Sequence, residues 1–230
     1  MKRKALKTVF LDTLPVLAGY LFLGAGFGIL LAEKTDKGAL WALLMSVCMF
    51  AGSGQYLAVD LLAQGTGLIS AALATFLVNA RHIFYGISLV DTYKGAKGAP
   101  YMIFGLTDET YSLVTQNKPP EGMSRHKYCF LVTMFDHIYW IAGCCLGFLA
   151  GDLIPISYEG VEFVLTALFV TLFTEQWLTN KSHLSALIGV ACTAACLILL
   201  GSQYFLIPAM AMIAVLLLIT RKTGRREQDA

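Results

Sequence analysis

Hydrophobic positions in this chain come in long unbroken runs rather than in alternation or single stripes. Eight runs stand out, over about residues 14–32, 39–63, 68–90, 99–115, 128–150, 161–179, 184–200 and 204–220. Each approaches the roughly 17–25 residues a helix needs to cross about 30 Å of hydrocarbon. None shows the short-period alternation of a membrane barrel. The pattern predicts an all-α polytopic membrane helix bundle with about eight transmembrane segments. Thr13 and Pro15 suit the start of the first helix, as cap residue and early-turn proline. Pro208 predicts a kink in the last.

Composition agrees with the pattern. Of 230 residues, 57% are hydrophobic and 14% charged, against about 25% charged in a typical soluble domain. Such a chain cannot cover itself with a polar surface. Met1-Lys2-Arg3-Lys4 has the charge of a signal-peptide start, but no small-residue cleavage site closes the following run. We expect one membrane domain over 1–230, with short cytoplasmic tails at 1–12 and 221–230. With eight spans and the N-terminus in the cytoplasm, twelve Lys and Arg fall inside and four (Lys34, Lys37, Lys94, Lys97) outside. Six spans with the second and sixth segments re-entrant give eleven against five, so charge does not separate the two arrangements.

A faint internal repeat accompanies these runs. Gly24 and Gly28 precede the FAGSGQYL run at 50–57, and Gly147 and Gly151 precede LFTEQWL at 172–178. Duplicated halves with broken helices and a site between them are a common transporter plan.

The chemistry lies where the runs are interrupted. Asn79-Ala80-Arg81-His82 falls inside the third run. An arginine in mid-membrane costs about 2.5–3.5 kcal/mol on translocon scales and so calls for a carboxylate, freed carbonyls or a water path. Asp108 and Glu109 in the fourth run are adjacent carboxylates about 100° apart on a helix. One of them is the expected counter-charge of Arg81, leaving the other as a proton carrier. Asp136 and His137 add a further acid and imidazole in the fifth. Gly52, Ser53, Gly54 and Gln55 loosen the second run. They either admit a close helix neighbour or break the helix so that its N-terminal N–H groups face an anion. We take Gly52, Ser53, Gly54, Gln55, Asn79 and Arg81 as substrate-binding candidates. His82, Asp108, Glu109 and Asp136 are proton-coupling or ion-pair candidates. Each also has a plainer reading, as a helix-pinning ion pair or a satisfied hydrogen-bonding group. Glu175 and Gln176 are read as snorkelling at a span end, Trp41 and Trp177 as interface anchors.

Other chemistries are missing. No phosphate loop, HExxH, GxSxG, nucleophile–base constellation or metal-ligand cluster occurs, so no enzyme activity, cofactor or metal is expected. The six cysteines fall in or beside apolar runs and read as packing residues. The basic ends read as topology signals beside anionic lipid rather than as a nucleic-acid surface.

In this order, LPV at 14–16, FAGSGQY at 50–56, NARHIFYG at 79–86, LTDETYS at 106–112 and GVEFVLTALFVTLFTEQW at 160–177 resemble the AzlC family. This family forms the large subunit of bacterial branched-chain amino acid exporters. Asp136 and Glu162 depart from the pattern, where a neutral polar residue and an aspartate are expected. The resemblance implies a secondary transporter in the bacterial cytoplasmic (inner) membrane, exporting branched-chain or other hydrophobic amino acids with proton coupling. It also implies a small multi-span partner subunit resembling AzlD. The alternative is a channel for a small solute or ion.

Overall fold

The computed structural model describes residues 2–153, 163–179 and 183–205, with 208–209, 211–213, 215–217 and 219–220 beyond them. Among these residues every regular element is a helix: α1 (Lys2–Lys34), α2 (Ala39–Met49), α3 (Gly52–Ala63), α4 (Leu68–Asn79), α5 (Arg81–Ser88), α6 (Val90–Tyr93), α7 (Ala99–Phe104), α8 (Asp108–Gln116), α9 (Arg125–Leu153), α10 (Phe163–Thr179) and α11 (Leu184–Tyr204). Glu159, Glu162, Lys181, parts of the run 204–220 and the basic run from Arg221 to Arg226 lie outside the described residues, as do the side chains of Glu175 and Gln176.

Residues 1–165 and 166–230 form two compact units. In the first, α1 and α9 are the spine, and they run parallel. Asp12 accepts a hydrogen bond from Tyr128 at 3.0 Å, Thr13 meets Tyr139 at 3.1 Å, and the Tyr20 ring lies edge-on to Trp140. Higher up, Gly24 and Gly28 face Gly143, Cys144 and Phe148, while Gly147 sits on Ala25. A Cβ on Gly28 would overlap the Cys144 carbonyl oxygen, and one on Gly147 the backbone of Ala25. Small residues four apart let helix backbones touch, which is how helices associate when lipid removes the hydrophobic drive. The glycines that suggested a repeat thus build one seam.

The first helix starts earlier than expected. Thr13 is not its cap: the hydroxyl donates to Phe10 O within the continuing helix, and Pro15 lies inside. The turns before it hold Val9, fully buried beside Tyr128, so packing carries the helix through the basic start.

Two runs double back: 39–63, re-entrant in one of the two arrangements that charge left open, and 99–115, read as a span in both. The run 39–63 breaks at Phe50-Ala51. Here α2 descends from the Lys34 end of α1 until Ser46 O and Phe50 reach His137. α3 then climbs again, with Gln55 against Trp140, Tyr56 donating to Leu23 O, and Asp60 paired with Lys34 at 3.0 Å. The run 99–115 breaks at Gly105-Leu106-Thr107. α7 rises from Gly98, beside Phe130, to Phe104, beside His137, and α8 returns until Arg125 donates to the Val114 and Asn117 carbonyl oxygens. The two hairpins enter from opposite ends of the spine. Their tips meet at mid-height, where a Cβ on Gly105 would lie 3.3 Å from the Phe50 ring.

Between them the chain passes from one end to the other once. α4 descends beside α3, bringing Asn79 to Gly54. It joins α5 through a 48° bend, and Leu89 and Tyr93 arrive in the cluster around Val9 and Tyr128. Among the described residues three helices can cross a membrane by length and composition, Lys4–Lys34, Arg125–Leu153 and Leu184–Gly201, and the bent α4–α5 pair is a fourth if taken as one span.

In the second unit α10 is continuous through its LFTEQWL run, so the break near Gln55 has no counterpart there. α11 loses helical geometry at Gly201 (φ 73°). Trp177 stacks on His183 at 4.1 Å.

Candidate functional site

Three helices of the first unit begin at mid-height: α3 at Gly52, α5 at Arg81 and α8 at Asp108. Each N-terminus carries unpaired N–H groups and a partial positive charge. The α8 terminus is capped, because Thr107 accepts from Thr110 N at 3.2 Å, and Asp108 and Glu109 stand in its first turn. The α3 terminus has no side-chain cap: Ala51 precedes it and Phe50 turns the chain at φ 26°. Positive φ on a bulky residue is strained, and such residues cluster where function over-determines the backbone. Here Phe50 is held by its stack on His137 at 4.4 Å.

Arg81 bridges the two hairpins. Its guanidinium pairs with Asp108 at 2.8 Å and donates to Ser53 Oγ at 3.2 Å. Asp108 also accepts from Tyr85 Oη at 2.7 Å. The side chains of Arg81 and Asp108 are 30% and 17% exposed, so the pair is open to a solute rather than sealed. Asn79 donates to Thr75 O at 2.9 Å and presses on Gly54, where a Cβ would come within 2.8 Å of the amide. Gln55 is fully buried, accepting from Trp140 Nε1. Gly52 packs on the Trp140 ring.

The other two acids lie in a second hydrogen-bonded group that reaches from α1 through α8 to α9. Glu109 accepts from Tyr20 Oη at 2.8 Å, and Tyr20 meets Thr107 Oγ1 at 2.6 Å. Thr107 donates to Thr110, and Thr110 donates to Asp136 Oδ2 at 2.8 Å. Asp136 is fully buried. His137 is held between Tyr101 and Ser46 O.

The predicted residues thus converge on the helix breaks, except His82, which lies edge-on to Tyr85 and outside the Arg81–Asp108–Ser53 group. Several groups in the network were not singled out from sequence: Tyr20, Tyr85, Thr107 and Thr110. Thr107 has a signal, a cap residue followed by two acids. Tyr20 has none, being one aromatic in an apolar helix. Four buried polar atoms at these breaks have no hydrogen-bond partner among the described residues: Gln55 Nε2, Asn79 Oδ1, Arg81 Nε and Asp136 Oδ1. Among the described residues no group of three or more His, Cys, Asp and Glu could hold a metal.

Known proteins place this arrangement in a family. The family model described as AzlC protein matches residues 15–154, which cover α1 from Pro15 onward, both hairpins and α9. A Bacillus subtilis protein named branched-chain amino acid transport protein AzlC is 40% identical over 95% of this chain and 86% of its own length. An uncharacterized membrane protein of Helicobacter pylori J99 is 37% identical over 95% and 96%. Escherichia coli inner membrane protein YgaZ is 26% identical over 89% and 84%. No solved structure matches. The chain is a membrane transport protein and belongs to the AzlC family.

Proposed function

We propose that this protein is a secondary transporter, the large subunit of a two-component exporter for branched-chain or other hydrophobic amino acids, driven by the proton gradient of the bacterial cytoplasmic membrane. A small multi-span subunit resembling AzlD is its partner. The observation that carries this reading is the unpaired polar lining of the helix breaks. Gln55 Nε2 and Arg81 Nε have hydrogens to give, and Asn79 Oδ1 lacks a donor. Leaving a buried polar atom unpaired costs about 1–3 kcal/mol. A zwitterion supplies both missing partners, its carboxylate to the α3 terminus, Gln55 and Arg81, its ammonium to Asn79 and Asp108.

The two hairpins are re-entrant and serve as opposed gates in alternating access, one from each side of the membrane. With both termini cytoplasmic, nine basic residues of the first unit (Lys2, Arg3, Lys4, Lys7, Lys94, Lys97, Lys118, Arg125, Lys127) fall inside and two (Lys34, Lys37) outside. Single-cysteine labelling in a cysteine-free background tests this. Lys94→Cys should react only from the cytoplasm and Lys37→Cys only from outside; Lys94→Cys reacting from outside restores straight spans.

Valine export from cells tests the site. Arg81→Ala, Asp108→Asn and Glu109→Gln should each abolish it at normal folded levels, and wild-type export from all three refutes the assignment. Flux without counterflow would make the protein a channel.

A further inference from the structure

The hydroxyl chain between Glu109 and Asp136 contains more hydrogen bonds than its hydroxyls can fill. Four contacts run in series: Glu109–Tyr20 at 2.8 Å, Tyr20–Thr107 at 2.6 Å, Thr107–Thr110 at 3.0 Å and Thr110–Asp136 at 2.8 Å. Tyr20, Thr107 and Thr110 bring one hydrogen each. With both carboxylates ionised, three hydrogens serve four contacts, and one pair of oxygens meets lone pair to lone pair. The shortest contact, between Tyr20 and Thr107, is the one left over if each hydroxyl points toward its acid or along α8. One more proton, on either carboxyl, fills all four.

We infer that Glu109 and Asp136 share a single proton through Tyr20, Thr107 and Thr110, a relay that carries the coupling proton across the middle of the protein. Its role in transport rests on the proton-coupled reading above; the sharing itself does not. With the proton on Glu109, every hydroxyl points toward Asp136. Glu109 then passes its proton to Tyr20 as Tyr20 gives its own to Thr107, Thr107 to Thr110 and Thr110 to Asp136 Oδ2. Each hydroxyl ends neutral, and the negative charge has moved from Asp136 to Glu109. Thr107 can accept from Thr110 N in both states, so the α8 cap survives the reversal. Asp136 Oδ1, buried and unpaired, is the one oxygen at that end of the relay left for a further partner. The charged and titratable groups around the relay are Asp108 on α8, Arg81 and Tyr85 on α5, Tyr101 on α7, and His137 and Tyr139 on α9. Arg81 is already paired with Asp108.

Tyr20 is a proton-passing link in this scheme, and Tyr20→Phe keeps its ring against Phe50 and Trp140 while removing the hydroxyl. Thr110→Val cuts the relay at another link. In inside-out vesicles from expressing cells, both variants should keep valine counterflow, and lose pH-gradient-driven valine uptake by about a hundredfold, the scale of a lost proton-transfer group. Unchanged driven uptake, or equal loss of uptake and counterflow, overturns the relay. Infrared spectra of the purified full chain in lipid at neutral pH give a readout independent of substrate. The wild type minus Glu109→Gln/Asp136→Asn difference should contain one protonated-carboxyl band, displaced in Tyr20→Phe. Its absence overturns the shared proton. If wild-type vesicles show no amino acid counterflow, the substrate reading fails while the infrared result still decides the relay.

Discussion

The two hairpins are alike in plan and opposite in chemistry. α2–α3 turns at a strained Phe50, leaves its second helix uncapped and presents neutral groups, Ser53 and Gln55, both buried. α7–α8 turns at Gly105, caps its second helix with Thr107 and presents two carboxylates in the first turn. Capping and acidity use up the positive end of α8, whereas that of α3 is kept available. The proposed zwitterion has one end for each, so the difference gives the region between the hairpin tips a polarity along the spine. Arg81, from neither hairpin, joins them through Ser53 and Asp108.

The largest effect comes from removing the join. Arg81→Ala leaves Asp108 half-buried without its cation and should lower stability by about 2 kcal/mol, below the full buried-pair cost because both side chains keep some exposure. The double variant Arg81→Met/Asp108→Leu should regain most of that stability without regaining export. Thermal unfolding and valine export on the same samples separate the two; export by the double variant would show that the pair only pins helices.

Next come changes that make the hairpins alike. Ala51→Ser supplies the cap that α3 lacks, with an expected gain of about 0.5–1 kcal/mol. By occupying an N–H that the proposed site gives to the carboxylate, it should raise the KM for valine about ten- to a hundredfold, since a charged hydrogen bond is worth roughly 1.5–3 kcal/mol. An unchanged KM would detach the substrate from the α3 terminus. Gly54→Ala pushes on the amide end of Asn79 rather than on backbone, so we expect about 1 kcal/mol of destabilisation and a severalfold weaker valine interaction in transport kinetics. Smallest of all, Lys34→Met removes an ion pair at the spine's end whose side chains are 26% and 38% exposed. Stability should fall by no more than about 1 kcal/mol, with export unchanged.

Much of this was legible in the sequence and some was not. The loosening at Gly52–Gln55 and the call of Arg81 for a carboxylate follow from residue types alone. Sequence left Asp108 and Glu109 equivalent. The structure separates them because α8 begins at Asp108, which turns that carboxylate to Arg81 and the next, about 100° around, to Tyr20. Re-entry of the second run was one of the arrangements left open by charge, but the α7–α8 hairpin was hidden for a simpler reason. Two half-length apolar helices add up to one span's worth of hydropathy, and length carries no sign of direction. The faint repeat had a real physical origin in part: its glycines meet across α1 and α9, while α10 stays unbroken.

The parallel seam also sets an order of construction. α1 is made early, but the surface that fits Gly24 and Gly28 arrives only when the ribosome has passed Gly147 and Phe148. Until then both hairpins, which take their walls from α1 and α9 together, have half a mould to settle into. Insertion must therefore hold about a hundred residues of unfinished, partly polar chain in reserve, and the final helix of the spine closes the assembly like a keystone.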